Sequence, residues 1–208
     1  MKKLITTFGL LLLAVVIFAQ GFHVGPRAGV TVSNMITKFN DGTVEYASKP
    51  GFQVGATAEF ELTSFLYVGT TIGLYQKGYK NVVTPGVFTI RNTFSYIDIP
   101  IEVGYKLPIG NFSIFGQIGP YVSVAVVGQS RMVNHDMPEY NETYSVYEYD
   151  EYKRFDSGLS FAVGGDYKQF QIRANYAFGF IDMNKYETYS SVNSTFGFSF
   201  AYFFGRDY

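Results

Sequence analysis

The sequence contains no cysteine and no tryptophan, and it has only two histidines among its 208 residues. Without cysteine the chain has neither disulfide bonds nor a thiolate that could act as a nucleophile or bind a metal. The two histidines, His23 and His135, are too few for a histidine-based metal site or a typical catalytic triad. We therefore expect no cofactor and no metal ion.

An excess of charge is also lacking. Lys and Arg number 16 against 17 for Asp and Glu, which gives a formal net charge of −1. A surface that binds nucleic acid carries clustered, unbalanced positive charge. The composition therefore favours no nucleic-acid partner.

Beyond residue 20 the chain has no long apolar run. The first residues combine Lys2 and Lys3 with the apolar run Leu10–Phe18, and Ala19 suits a cleavage site. These features are typical of a secretory signal peptide, so we predict a signal peptide at 1–19 and one domain at 20–208. A single anchor helix is the less favoured alternative, because the run is marginal in length. No later run approaches the ~20 residues that a membrane helix needs.

Aromatic residues and glycine are abundant, with 21 Phe, 18 Tyr and 22 Gly, and the apolar residues alternate with small or polar ones. The clearest example is Phe94–Leu107. One parity of this stretch carries Ile97, Ile99, Ile101, Val103 and Tyr105, and the other carries Tyr96, Asp98, Pro100, Glu102 and Gly104. A period of two indicates a strand with two distinct faces. Its length suits the ~9–11 tilted residues with which a strand crosses a membrane.

Eight segments share this alternation, and none shows a sustained helical period. They are His23–Asn34, Gly51–Leu62, Phe65–Lys77, the stretch ending at Leu107 and starting near Ile90, Asn111–Val127, Phe155–Tyr167, Gln169–Phe180 and Asn193–Phe204. The joins between them alternate between tight turns and long polar loops, the long ones being Met35–Pro50, Gly78–Thr89, Gly128–Arg154 and Ile181–Val192. Outer-membrane barrels show this asymmetry between their periplasmic turns and extracellular loops.

The predicted fold is therefore all-β, an eight-stranded antiparallel up-and-down transmembrane β-barrel in the outer membrane. An even strand number places both termini on the periplasmic side. A water-soluble barrel would place the large apolar set inside. Eight such faces of large side chains do not fit into so narrow a lumen, whereas the opposite set is mostly Gly, Ser, Thr and Ala. We therefore expect the apolar set to face lipid.

Several short motifs support a family resemblance over the whole mature chain. They are Gly25–Gly29, Tyr96–Pro100, Gly119–Tyr121, Asp156–Leu159 and Arg173–Tyr176. With these motifs the chain resembles the small outer-membrane β-barrel proteins of the Bacteroidota, described as PorT-like or porin-family proteins. The resemblance implies an integral outer-membrane barrel in contact with outer-membrane lipid, and it implies no reaction. The last strand resembles the aromatic-alternating strand that barrel-assembly machinery reads.

The inward parity contains five charged residues that could form a network in the lumen: Arg27, Glu59, Asp98, Glu102 and Arg173. Unpaired charges in a narrow, low-dielectric lumen are costly. We therefore expect Arg27 and Arg173 to pair with Glu59, Glu102 or Asp98. The favoured interpretation is a structural plug, and the alternative is a selectivity constriction or a proton path.

The longest loop, Gly128–Arg154, contains five tyrosines among acidic residues: Tyr140, Tyr144, Tyr147, Tyr149 and Tyr152. Tyrosine supplies rigid amphipathic contact area, so this loop is a candidate recognition surface for a protein or a glycan. The alternative is a solvated loop or a tyrosine-rich hairpin. Ser130, His135 and Asp136 also lie in it, but no nucleophile motif surrounds the serine.

The leading functional hypothesis is a non-enzymatic outer-membrane barrel with a lumen filled by side chains. Its expected role is structural or interaction-based at the cell surface, including that of an accessory to secretion or surface assembly. A narrow channel or transporter for small solutes is the alternative. An enzyme with its site on the rim is less favoured.

Overall fold

The computed structural model describes residues 21–39, 42–148, 152–185 and 190–206. The predicted signal peptide at 1–19 lies outside these ranges and stays a prediction. Within the described ranges, no helix is long and apolar enough to span a membrane.

The described residues fold into ten strands and one short 3-10 turn. The strands are β1 Phe22–Phe39, β2 Gly42–Glu45, β3 Ala47–Glu61, β4 Leu66–Thr84, β5 Phe88–Ile109, β6 Phe112–Asn134, β7 Glu142–Ser145, β8 Phe155–Tyr167, β9 Phe170–Gly179 and β10 Ser190–Tyr202. The 3-10 turn is Pro138–Tyr140.

Eight of these strands form a closed antiparallel ring in the order β1, β3, β4, β5, β6, β8, β9, β10. The ring closes where β10 pairs with β1, from Arg27 opposite Ala201 to Lys38 opposite Ser190. The two short strands form hairpins on the ring, β2 with β1 and β7 with β6. The predicted eight-stranded up-and-down barrel is confirmed, with two short strands that the alternation did not indicate.

The alternation along β5 shows which face points outward. Ile101 is 56% exposed and Val103 is 54% exposed, whereas the intervening Glu102 is 1% exposed. The same pattern recurs around the ring, since the large apolar side chains of the other strands are exposed and the polar set is buried. An exposed apolar band around a closed barrel is the surface that lipid covers.

Three short turns lie at one rim and join β3 to β4, β5 to β6, and β8 to β9. Two of them use a left-handed residue, Gly110 with φ 63° and Lys168 with φ 52°. The opposite rim carries the remaining connections, including the long ones between β6 and β8 and between β9 and β10.

Several connections at this opposite rim are shorter than the loops predicted from the sequence, because the strands continue far into the predicted loops. The expected loop at 78–89 is mostly strand, since β4 runs to Thr84, β5 begins at Phe88, and a tight turn joins them. Likewise β6 continues to Asn134 and pairs with β7. These segments are polar because the strands there extend beyond the apolar band. Strand ends of this kind lack the alternation of apolar and polar residues from which the strands were predicted.

A bulge changes which residues of β6 face the lumen. The register of β5 against β6 shifts between Ser95 and Tyr96, so that Val126 and Val127 are both exposed. Beyond the bulge the buried positions of β6 change from odd to even numbers, as at Ser130. One inserted residue reverses the faces of everything that follows it.

The seam between β1 and β10 gives a direct test of closure. A methyl group added at Gly25 would collide with the backbone carbonyl oxygen of Tyr202, whereas one added at Gly116 would meet nothing within 4 Å. We expect Gly25→Ala to destabilise the barrel by about 1–3 kcal/mol, as overpacking does. Gly116→Ala, the matched control on the lipid face, should leave stability nearly unchanged. Urea unfolding in detergent, detected by heat-modifiable migration on gels, gives the unfolding midpoint of each variant. Equal midpoints for the two variants would contradict the closed seam.

Candidate functional site: the barrel interior and the rim of the long loops

Polar and charged side chains fill the lumen in layers, each carried by the inward positions of facing strands. The buried charged side chains among the described residues are five basic and five acidic, namely Arg27, Lys77, Lys106, Arg173 and Arg206 with Glu59, Asp98, Glu102, Asp156 and Asp166. The buried charges therefore balance, and the interior has no excess of either sign that would attract a charged solute.

The layer nearest the tight turns joins two acids to two bases. Lys106 Nζ lies 3.0 Å from Glu59 and 3.1 Å from Asp166. Arg206 contacts the same two carboxylates. Gln171 donates hydrogen bonds to both acids, at 2.7 Å to Glu59 and 2.8 Å to Asp166. A shared set of partners satisfies buried charges that would be costly alone.

Arg206 belongs to this layer although it follows the last strand of the ring in the chain. The last strand ends at Tyr202, Phe203 is fully buried, and Gly205 adopts a φ of 67°. A left-handed residue turns the chain back, and the guanidinium of Arg206 then lies 4.0 Å from the ring centre of Phe203. The segment that follows β10 thus supplies one of the cations of this layer.

A second layer is built around Glu102 and Arg173. The guanidinium of Arg173 donates to both carboxylate oxygens of Glu102, at 2.6 and 2.8 Å. Gln117 also donates to Glu102 and accepts a 2.7 Å bond from the hydroxyl of Tyr67. This pair is one of those expected from the sequence.

Arg27 does not form the expected ion pair. Its guanidinium donates to Gln171 at 2.5 Å, to Ser199 at 3.1 Å and to Thr57 at 3.2 Å. No carboxylate of the described residues lies within ion-pair distance. The prediction of an acidic partner for Arg27 is wrong because the nearby Glu59 is already occupied by Lys106 and Arg206.

The third ionic layer lies nearer the long loops. Lys77 Nζ lies 2.8 Å from Asp98 and 4.8 Å from the ring centres of both Tyr96 and Tyr121. Asp156 accepts hydrogen bonds from Tyr121 at 3.1 Å and from Asn193 at 2.9 Å. Asp98 therefore pairs with a lysine rather than with an arginine.

A small cavity lies between the second and third ionic layers. Its volume is about 20 Å³, and its lining includes Asp98, Arg173 and Thr195. A space of this size suits a single water molecule. It is far too small for an organic solute.

A mainly aromatic and apolar cluster closes the side of the long loops. Met35, Tyr79, Phe94, Tyr96, Ala125, Val146 and Met183 form it, and Tyr46, Tyr147 and Tyr152 pack against it. Tyr79 and Tyr152 share a 2.6 Å hydrogen bond between hydroxyls, and the Phe94 and Tyr152 rings lie 5.3 Å apart. The sequence predicted mostly small inward residues, but on the side of the long loops the lumen is lined largely by aromatic side chains.

The five tyrosines of the recognition hypothesis do not form one surface. Tyr140 is 66% exposed and Tyr144 is half-buried, while Tyr149 lies outside the described residues. Tyr147 and Tyr152 turn inward against the cluster. Burial raises the pKa of the Tyr147 phenol to about 12, although the nearby charge of Arg154 lowers it.

The candidate rim triad is not assembled. Ser130 is buried at an inward position of β6, whereas His135 and Asp136 are exposed beyond the strand end. No hydrogen bond of the described residues joins these three side chains. Within the same ranges, no group of His, Asp and Glu side chains could hold a metal ion.

Sequence reasoning missed five of the ten buried charges. Lys77, Lys106, Asp156 and Asp166 continue the inward parity of their strands by one step at an end, so a longer reading of each alternation would have found them. Arg206 follows a turn beyond the last strand and obeys no alternation.

A closed, antiparallel, eight-stranded ring with an exposed apolar band and a polar, charged interior defines an outer-membrane β-barrel. The model of the outer membrane protein beta-barrel domain family matches residues 18–185, more than half of the sequence. The chain belongs to this family and is an outer-membrane protein. A comparison with curated proteins gives no significant match.

Solved outer-membrane barrels resemble the chain in fold at low sequence identity. The attachment invasion locus protein Ail of Yersinia pestis is 15% identical with a TM-score of 0.42, over 88% of this chain and 99% of Ail. Neisserial surface protein A is 12% identical with a TM-score of 0.39, over 85% and 96% of the two chains. The outer membrane protease OmpT of Escherichia coli is 8% identical with a TM-score of 0.31, over 89% and 97%.

The ion pair between Glu102 and Arg173 is suited to a double-mutant cycle. Glu102→Gln should lower the free energy of unfolding by about 3–5 kcal/mol, because Arg173 would remain buried without a counter-charge. Arg173→Met in the same chain should restore much of the loss. Urea unfolding of the single and double variants isolates the pairwise contribution.

Glu148→Gln is the matched control, since Glu148 is exposed in the turn after β7. It should change stability by less than about 0.5 kcal/mol. If Glu102→Gln is equally silent, Glu102 lies in solvent and the face assigned to β5 is wrong.

Proposed function

We propose that this outer-membrane protein is a non-enzymatic barrel with a closed lumen, and that it acts through its extracellular surface. Its role is structural or interaction-based, as an accessory to secretion or to surface assembly. The observation that carries this proposal is the filled and charge-balanced interior, in which buried ion pairs and aromatic rings occupy successive layers.

The filled interior argues against transport. Moving a solute through the lumen would require breaking the pairs between Arg173 and Glu102 and between Lys77 and Asp98, each of which is almost fully buried. Breaking one buried pair typically costs about 3–5 kcal/mol. Several such layers in series make a stable plug, as expected for a ring of only eight strands.

The extracellular side offers the larger opportunity for interaction. Strands β4, β5 and β6 have 19, 22 and 23 residues, about twice the ~9–11 that cross a membrane. Their outer halves form a rigid wall of sheet above the lipid. Within the segment 128–154, the 3-10 turn Pro138–Tyr140 beyond β6 presents the exposed Tyr140 as a contact for a protein or a glycan.

The narrower assignments belong to the same proposal. The short motifs in β1, β5, β6, β8 and β9 favour membership of the PorT-like barrels of the Bacteroidota. The tight turns at one rim support a periplasmic position for that rim and for both termini. A signal peptide at 1–19 would direct the chain across the inner membrane, and the aromatic-alternating last strand would then be read by the barrel-assembly machinery.

Planar-bilayer recording tests the closed lumen. The purified, heat-modifiable protein should give no steady single-channel steps, because no layer leaves a continuous column of water. Glu102→Ala combined with Arg173→Ala empties one layer without leaving a lone charge, and it should also remain silent because other layers persist. Steady conductance steps of the wild-type protein in clean preparations would favour the channel hypothesis instead.

A further inference from the structure

Three basic residues lie side by side on the outward face of the extracellular wall. In the register of the sheet, Lys80 of β4 is directly opposite Arg91 of β5, and Arg91 is directly opposite Arg131 of β6. Residues directly opposite one another point to the same side of a sheet. The buried Tyr79, Asn92 and Ser130 occupy the neighbouring register positions and point inward. The three basic residues, here called the basic row, therefore point away from the lumen.

The basic row has no acidic partner on its own face. The adjacent positions of that face carry Gly78, Thr93 and Gln129 on one side, and Val82, Thr89 and Val133 on the other. In register the row is flanked by Ala47 of β3 and Thr143 of β7, and Glu142, which pairs with Met132, lies on the opposite face. Glu45 of β2 pairs in register with Ile36 and accepts a hydrogen bond from Asn34. Among the described residues, no carboxylate lies within ion-pair distance of the row.

Two further observations concern the surroundings of the row. The Nε atom of Arg91 is buried and has no hydrogen-bond partner in the described part of the chain. Burial lowers the pKa of Lys49, at the start of β3, and the charges of Lys80 and Arg91 lower it further. Like charges directly opposite one another destabilise a sheet unless a counter-charge is present.

The height of the basic row above the lipid limits which anionic groups can reach it. On the side of the short turns, the outward apolar band ends at Leu74, Ile97 and Val127, which lie four to six residues from the row along their strands. At about 3.3 Å per residue and a tilt near 40°, the row stands roughly 10–15 Å above the hydrocarbon. That height lies well beyond the acyl chains, so a lipid phosphate that meets the row has to be carried on a large head, such as the sugars of a glycolipid.

We propose that the basic row formed by Lys80, Arg91 and Arg131 is a binding site for the phosphorylated head of an outer-leaflet glycolipid. The guanidinium groups donate paired hydrogen bonds to phosphate oxygens, and Lys80 contributes a point charge. The row faces sideways into the leaflet, so a neighbouring glycolipid meets it in its normal orientation. The bound lipid would lie against the outward face of β4, β5 and β6, and its phosphates would neutralise the repulsion among the three basic side chains.

The test measures glycolipid binding to the full, folded barrel in detergent by native mass spectrometry. The probes are a bisphosphorylated outer-membrane glycolipid and the same glycolipid with its phosphates removed. The wild-type protein should bind the phosphorylated form at least about tenfold more tightly, since one charge-assisted hydrogen bond is worth that much. Equal affinity for the two forms would overturn the proposal, and this comparison requires no variant.

The position of the site is tested by charge removal. The combined change Lys80→Gln, Arg91→Gln and Arg131→Gln should weaken binding of the phosphorylated glycolipid at least about tenfold. Lys38→Gln with Lys153→Gln and Lys168→Gln is the matched control, because it removes the same charge from exposed positions elsewhere. Equal losses in both variants would show non-specific attraction and contradict the site.

Inorganic phosphate separates the glycolipid from a free anion. Added at the same phosphate concentration as the glycolipid, it should not displace the lipid. Displacement at that concentration would identify a simple anion site and overturn the glycolipid assignment.

Discussion

Lipid offers no hydrogen bonds to a polypeptide backbone, and this constraint determines the architecture of the protein. Every N–H and C=O group in the membrane must be paired within the sheet, so the sheet has to close. Closure occurs where β10 pairs with β1 over twelve register positions. Once the ring is closed, each residue must face either lipid or lumen. The strict alternation of the sequence follows from that choice.

The lumen created by closure is narrow and lined by buried side chains, so its charges must balance. Five basic and five acidic side chains meet this requirement in layers, and the last cation arrives on the segment that follows β10. The wall above the membrane meets the opposite condition, since the outward row Lys80, Arg91 and Arg131 has no acid in register. The buried charges of the described residues are thus balanced inside the barrel, whereas the row on the outside of its upper wall has no carboxylate of these residues within ion-pair distance.

The ring, its strand number and the lipid-facing set were predictable because a period of two is a local property that one strand displays alone. The bulge near Val126 was not, since an extra residue is recognised only against the partner strand. The partners of Arg27 were also beyond reach, because Glu59 is claimed by Lys106 and by Arg206 across the lumen. Pairing depends on competition in three dimensions, which parity does not encode.

The central claim is that the lumen holds no continuous water, and the absence of cysteine makes a direct measurement available. Ser160→Cys and Ser199→Cys each place a nearly isosteric thiol at a buried inward position, and Ser145→Cys places one at an exposed position of β7. A small charged, water-soluble thiol reagent should label the third variant rapidly and leave the first two unmodified in folded barrels. Rapid labelling of the thiols at positions 160 and 199 would show an open aqueous path and contradict the account.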